Sequence, residues 1–301
     1  MKLALFSLVL IISQISYSAQ IINMGPDFEV FLETSNGLDP EGALHQWEMF
    51  ESKYKTIFDE AIYRTTEENW EERREKKRKE FFFKLPQLKD KMSKMFSEAT
   101  EIVTQQEALF RSHFPDLPAT FYVVFMPSLF SFNGQVREIS GFPSDPVLIG
   151  VDMTIERGDS LNVLFSHEFF HAYHDWKLAN KRIGQTMASP LWIEGFATYA
   201  SGLLNPRASD EELLLDGELA KACKDPQAVA EMAKLYLEIL DSTGPYKDWF
   251  LMNGTTKPVR RGYCLGLQVI RKVALKSDLT QMIAWDEKEF SVAIRKALES
   301  F

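Results

Sequence analysis

Residues 161–176, "LNVLFSHEFFHAYHDW", bring three of the chain's five histidines and a glutamate together inside an apolar frame. Advancing 100° per residue along a helix over 160–177 places Leu161, Phe165, Phe169, Ala172 and Trp176 in one quadrant, the expected core face. His167, His171 and His174 fall on a separate face, and Glu168 lies between the two. His167 and His171 are one turn apart, so their rings project side by side and can close on one ion. The competing reading is a buried helix with ordinary polar residues along its solvent boundary.

Around this helix the pattern changes character. "FYVVFM" (121–126) and "PVLIGVDM" (146–153) are β-rich apolar runs, separated by turn material in "SFNGQ" and "SGFPSDP". They predict a small sheet just before the histidine helix. "ERGDS" supplies a loop with Asp159 or Ser160 as N-cap. "ASPLWIEGFATYASG" predicts a second helix with Ser189 as cap, Pro190 at the first helical position and Gly202 as terminator. "PQAVAEMAKLYLEIL" and "DEKEFSVAIRKALE" continue the helical pattern towards the C-terminus. Upstream, residues 19–38 hold scattered polar and turn residues. Asp39 and Pro40 then open long helices that reach His113, interrupted near Thr65–Thr66 and at Pro86. The expected class is α+β, predominantly helical, with an N-terminal helical region (19–115) and a second region (116–301) that can form one continuous domain with it.

The formal net charge of −9 argues against nucleic acid as a partner, because phosphate neutralisation needs a basic surface. The densest basic stretch, "EERREKKRKE" (71–80), interleaves acids and bases and reads as a solvated helix face. "MKLALFSLVLIISQISYSAQ" has Lys2, an apolar run from Leu3 to Ile12, and small residues Ser16 and Ser18. That is the tripartite pattern of a secretory signal over 1–18, cleaved after Ser18, with an apolar run too short to span a bilayer. No second apolar segment is long enough for a span, so an exported protein, periplasmic or secreted, is expected. Cys223 and Cys264 are the two cysteines, neither in a C-x-x-C pair; an oxidising compartment makes them candidates for one disulfide.

His167-Glu168-Phe169-Phe170-His171 is an H-E-x-x-H pattern, the arrangement in which two helical histidines bind zinc and the glutamate acts on water. A catalytic zinc takes a third protein ligand. His174 lies seven residues after His167, about 10 Å along a straight helix axis, too far for both to reach one ion. Families that recruit a later histidine first break the helix with glycine, in H-E-x-x-H-x-x-G-x-x-H. Here those last two places hold His174 and Lys177. Glu194, in "LWIEGFATYA" 23 positions after His171, is the better candidate. An acid among Trp192, Ile193 and Phe196 is costly to bury unpaired, the neighbours Gly195, Ala197 and Ala200 permit close helix approach, and two histidines with a glutamate are a known catalytic zinc set.

"SHEFFHAYHDW" followed by "PLWIEGFATYAS" resembles the gluzincin zinc metallopeptidases, which join H-E-x-x-H to an E-G-x-A on a second helix, and within them the bacterial predicted Zn-dependent protease families. The resemblance covers about 147–201 and, weakly, "RRGYCLGLQVIRKV" (260–273). It implies a zincin-like fold and one Zn2+ per chain, held by His167, His171 and Glu194. It also implies an exported peptidase that cuts peptide or protein substrates with Glu168 as general base. Tyr263 is the candidate oxyanion donor that such a family supplies from its C-terminal part, against a packing role of equal weight. His174 and Asp175 are read as facing substrate or supporting the ligands, against plain helix surface. The chain departs from the family in two places. The G-x-M-E-N motif of gluzincin aminopeptidases has only the weak echo "GVDM" (150–153), on the expected strand. The aspartate usually found four residues after the ligand glutamate is replaced by Thr198, which leaves Asp175 as a candidate orienting group. The alternative function is an exported zinc-binding structural or binding protein with a non-catalytic site; an accidental histidine pattern on an interaction module is a third.

Overall fold

The computed structural model describes residues 19–178 and 184–301. The expected signal segment, 1–18, lies outside the described residues. Four strands form one sheet in the order β1-β2-β4-β3: β1 (Gln20–Asn23), β2 (Tyr122–Met126), β3 (Gly134–Val136) and β4 (Val147–Gly150). β1 pairs parallel with β2, and β2 parallel with β4; β3 runs antiparallel to β4 and forms an edge. β2 and β4 carry almost uninterrupted buried apolar residues, as central strands covered on both faces must.

Several expectations are corrected here. Residues 19–38 are not loop material: β1 is followed at once by α1 (Gly25–Ser35). Its short strand lacks a strong alternating pattern, and pairing with β2 is what orders it. "SFNGQ" is not only a turn, because Gly134 and Gln135 belong to β3. "GVDM" does not lie on a strand; Val151 opens α5 (Val151–Arg157), and only Gly150 belongs to β4.

α2 (Pro40–Lys53) is capped by the Asp39 side chain, which accepts from Gly42 N. α3 (Lys55–Ile57) runs into a π-helical turn, Phe58–Tyr63, closed by Arg64 in the left-handed region (φ 53). The chain is then non-helical to Asn69, as expected near Thr65–Thr66. α4 (Trp70–His113) continues for 44 residues straight through Pro86, so the expected break there does not occur. The missing backbone N–H costs one hydrogen bond. It is outweighed by a buried stripe (Phe81, Leu85, Leu88, Met92, Phe96) on both sides of the proline, at about 1.5–3 kcal/mol per large apolar side chain.

α6 (Leu161–Leu178) packs on this frame. Phe165 and Phe169 meet at 4.3 Å, Phe169 touches Phe121 at 4.7 Å and Phe110 of α4 at 5.8 Å. The single-quadrant core face is corrected: Trp176 is 45% exposed, whereas Val163, Leu164, Phe170 and Tyr173 are buried, so the helix is covered on most sides. α7 (Ala188–Leu204) starts earlier and ends later than expected. Pro190 occupies its third position, Met187 is the N-cap, and Gly202 lies inside it, beside Leu213.

The C-terminal part comprises α8 (Asp210–Leu214), α9 (Gly217–Lys224), α10 (Pro226–Leu237), α11 (Tyr246–Phe250), α12 (Arg261–Ala274), α13 (Leu279–Ile283) and α14 (Glu287–Leu298). α12 lies directly on α7: a Cβ added to Gly195 would stand 2.6 Å from Gly266 Cα. The small residue after Glu194 therefore serves the α7–α12 contact. Cys223 of α9 and Cys264 of α12 form a disulfide, with Cα atoms 5.5 Å apart. No helix among the described residues is long and apolar enough to cross a membrane.

Candidate metal centre

α6 and α7 lie side by side, joined by Phe170 against Phe196 at 4.7 Å. This packing turns Glu194 towards the histidine face. His167 Nε2 and His171 Nε2 are 3.0 Å apart, and Glu194 Oε2 is 3.4 Å from each. Among the described residues these three form a group that could hold a metal ion. A tetrahedral zinc with ligands at about 2.0–2.1 Å sets its ligand atoms roughly 3.3 Å apart, so the triangle has the size of one tetrahedral face. Glu194 Oε2 is buried and has no hydrogen-bond partner among the described residues, although a buried carboxylate oxygen ordinarily finds a donor. The donor set and its convergence both fit zinc.

The electrostatics follow from crowding four ionisable groups. Burial lowers the pKa of His167 to about 4, against the opposing pull of Glu194. Burial acts in the same direction on His171, but Glu194, with Glu168 and Asp175, carries it up to about 9. Burial alone would raise Glu194, yet His171 and His167 hold it well below the usual carboxylate range. Glu168, 6% exposed, is pushed up to about 7 by burial, with His171 pulling the other way.

Glu168 faces β3. Gly134 lies so close that an added Cβ would be 2.7 Å from both Cγ and Oε1 of Glu168. A cavity of about 80 Å³ opens here, lined by Gly134, Leu164, His167, Glu168, Arg260 and Tyr263. The Tyr263 ring stacks 6.2 Å from the His167 ring, and burial, then Glu194, raises its pKa well above the ordinary value. The structure thus brings Tyr263 to the same cavity as Glu168.

The reading of His174 is corrected. It faces neither the cavity nor solvent: fully buried, it sits 5.5 Å from Phe170 and 5.7 Å from Phe196, and both ring nitrogens lack hydrogen-bond partners among the described residues. Burial lowers its pKa to about 3, so the ring is neutral. Asp175 is exposed one turn past His171 and acts on it through charge. Thr198 donates to Glu194 O at 2.7 Å, within α7. Asp152, in "GVDM", is fully buried and accepts from Ser128 N (2.5 Å), Ser128 Oγ (3.0 Å) and Phe130 N (2.7 Å). It thereby holds the loop that leads into β3, in which Leu129 and Phe130 have positive φ.

Two site residues were missed by sequence reasoning. Arg260 is 9% exposed, has a left-handed backbone (φ 57), and lays its guanidinium 4.1 Å over the Tyr263 ring. Its charge acts on His167, Glu168 and Tyr263. The available signal was the arginine pair immediately before Gly262-Tyr263. Gly134 had none, since a glycine in turn-rich sequence is unremarkable until a side chain is seen against it.

No family model matches this chain, and neither a curated protein nor a solved structure matches it. The site therefore stands on its own geometry.

Proposed function

We propose that the chain is a zinc-dependent peptidase of zincin-like architecture, akin to the gluzincins, in which His167, His171 and Glu194 hold the ion. The observation that carries this reading is the three-atom triangle of tetrahedral size with Glu168 beside it on the cavity wall. Zinc at this place would supply Lewis acidity, lowering the pKa of water towards 7 and polarising the scissile carbonyl. Glu168 takes the proton of the attacking water and delivers it to the leaving amine. Tyr263 and Arg260, across the cavity, supply donor and positive charge where the carbonyl oxygen gains negative charge. The free edge of β3 beside Glu168 offers backbone groups on which an extended peptide can lie. The Cys223–Cys264 disulfide supports export to an oxidising compartment.

The test pairs zinc stoichiometry with cleavage of an unbiased peptide library, using Glu168→Gln as control. One zinc per chain and cleavage abolished in the variant is the expected result. Full cleavage by Glu168→Gln would refute the mechanism. Zinc without any cleavage would favour the alternative, a non-catalytic zinc-binding protein.

A further inference from the structure

The edge strand separates two unlike spaces. Gly134 faces Glu168, and by strand alternation Gln135 points the other way, towards α4. There it lines a second cavity of about 450 Å³ between β3 and the N-terminal part of α4. In a chain of net charge −9, the ionisable side chains lining this cavity are four cations, Arg64, Arg73, Lys76 and Lys77, against Glu67 and Glu80. Both carboxylates are already engaged: Glu67 by Arg73 (3.1 Å) and Arg64 (3.5 Å), Glu80 by Lys84 (3.3 Å). Lys77 donates to Ser131 Oγ at 2.7 Å, which leaves its other two N–H groups. Gln135 Nε2 is buried with no hydrogen-bond partner among the described residues.

We propose that this cavity receives a carboxylate of the peptide substrate, with Lys76, Lys77 and Gln135 Nε2 as donors; this rests on the peptidase reading of the metal centre. A peptide lying along β3 places alternate side chains on opposite faces, so a residue flanking the cleaved bond reaches the α4 side while the bond itself stays near Glu168. Burial lowers the Lys77 pKa, and an incoming anion offsets that penalty. The preferred substrates are therefore peptides with aspartate or glutamate beside the cleaved bond.

Binding is measured by fluorescence anisotropy on full-length Glu168→Gln protein, so that no cleavage is needed. The probes are labelled extended peptides with one aspartate, their asparagine counterparts, and each of these with a free or an amidated C-terminus. The aspartate peptides should bind about tenfold more tightly, the scale of a charge-assisted contact in a partly solvated cavity. Lys76→Glu together with Lys77→Gln should erase the difference, whereas Lys79→Glu, an exposed residue of the same helix outside the lining, should keep it. Equal binding of all four probes, with or without an aspartate and with a free or an amidated C-terminus, or equal loss in Lys79→Glu, would overturn the proposal. A preference that follows the free C-terminus and is erased by the pocket variants supports the cavity with the chain end as the source of the carboxylate. Wild-type cleavage with no acidic preference overturns the cavity's role and leaves the peptidase standing. Carboxylate binding without cleavage by wild-type protein does the reverse.

Discussion

Replacing Gly134 with alanine would put a methyl group where the Glu168 side chain now lies. The new Cβ would be 2.7 Å from Cγ and Oε1, whereas ordinary contact begins at 3.4 Å. The carboxyl must therefore withdraw by about 0.7 Å to restore normal van der Waals spacing. What yields is a flexible side chain, and the backbone at 134 lies in an ordinary strand. Alanine also loses less chain entropy than glycine, by roughly 0.5–1 kcal/mol, which opposes the strain of overpacking. Net stability should change by no more than about 1 kcal/mol, a shift of roughly 2–4 °C in Tm for a chain of this size. Activity is far more sensitive, since a misplacement of about 1 Å at a reacting group can cost 100-fold. The variant should bind one zinc, melt close to wild type, and cleave a peptide library 10- to 100-fold more slowly, within that same ~100-fold scale. Cleavage within about twofold of wild type would mean that the position of Glu168 does not control the reaction, and the reasoning would fail. Loss of zinc would refute it differently, by showing that β3 supports the ligands themselves.

Glu194→Gln should lose stoichiometric zinc in elemental analysis while keeping the wild-type circular dichroism spectrum, because the amide has the shape of the carboxylate and gives up only the charge that faces His167 and His171. Added zinc should raise the Tm of wild type and leave that of the variant unchanged. Asp152→Ala removes the acceptor of three bonds to Ser128 and Phe130, which at about 1 kcal/mol each predicts a loss near 3 kcal/mol in denaturant unfolding. Its cleavage should fall as well, since the loop it holds leads into β3. Reducing Cys223–Cys264 opens a loop with a sequence separation of 41, worth at most roughly 4 kcal/mol by chain entropy. Thermal melts with and without reductant should show a clear fall in Tm, and an unchanged Tm would place that disulfide outside the stabilising set.

Local periodicity makes the most important elements legible in the sequence itself. His167 and His171 share a helix face because i and i+4 always do, and the helix follows from its own residues. Glu194 is singled out as a candidate by the cost of burying an acid among Trp192, Ile193 and Phe196, and the packing of α7 on α6 brings it to His167 and His171. The central strands β2 and β4 stood out as apolar runs between turns, as did the caps at Asp39 and the helical pattern from Pro226 onward. The pairing of the two cysteines remained open, because a separation of 41 residues carries no distance information until α9 and α12 meet.

Other features depend on residues far apart in the chain. Pro86 stays inside α4 because the flanking apolar stripe is anchored against the rest of the core, an energy a local pattern does not contain. β1 and β3 are too short to declare themselves and exist through hydrogen bonds to β2 and β4. His174 shares the face of His167 and His171 on a helical wheel, yet α7 covers it with Phe196 and buries it away from the cavity beside Glu168. Arg260 and Gly134 reach Glu168 from segments about 92 and 34 residues away, since side-chain reach is set by tertiary packing and not by sequence spacing. Helical geometry repeats every 3.6 residues and is written into the chain locally. Which surfaces of those helices and strands face one another is settled by the burial of the whole core, and that placement turns two histidines and a distant glutamate into one triangle.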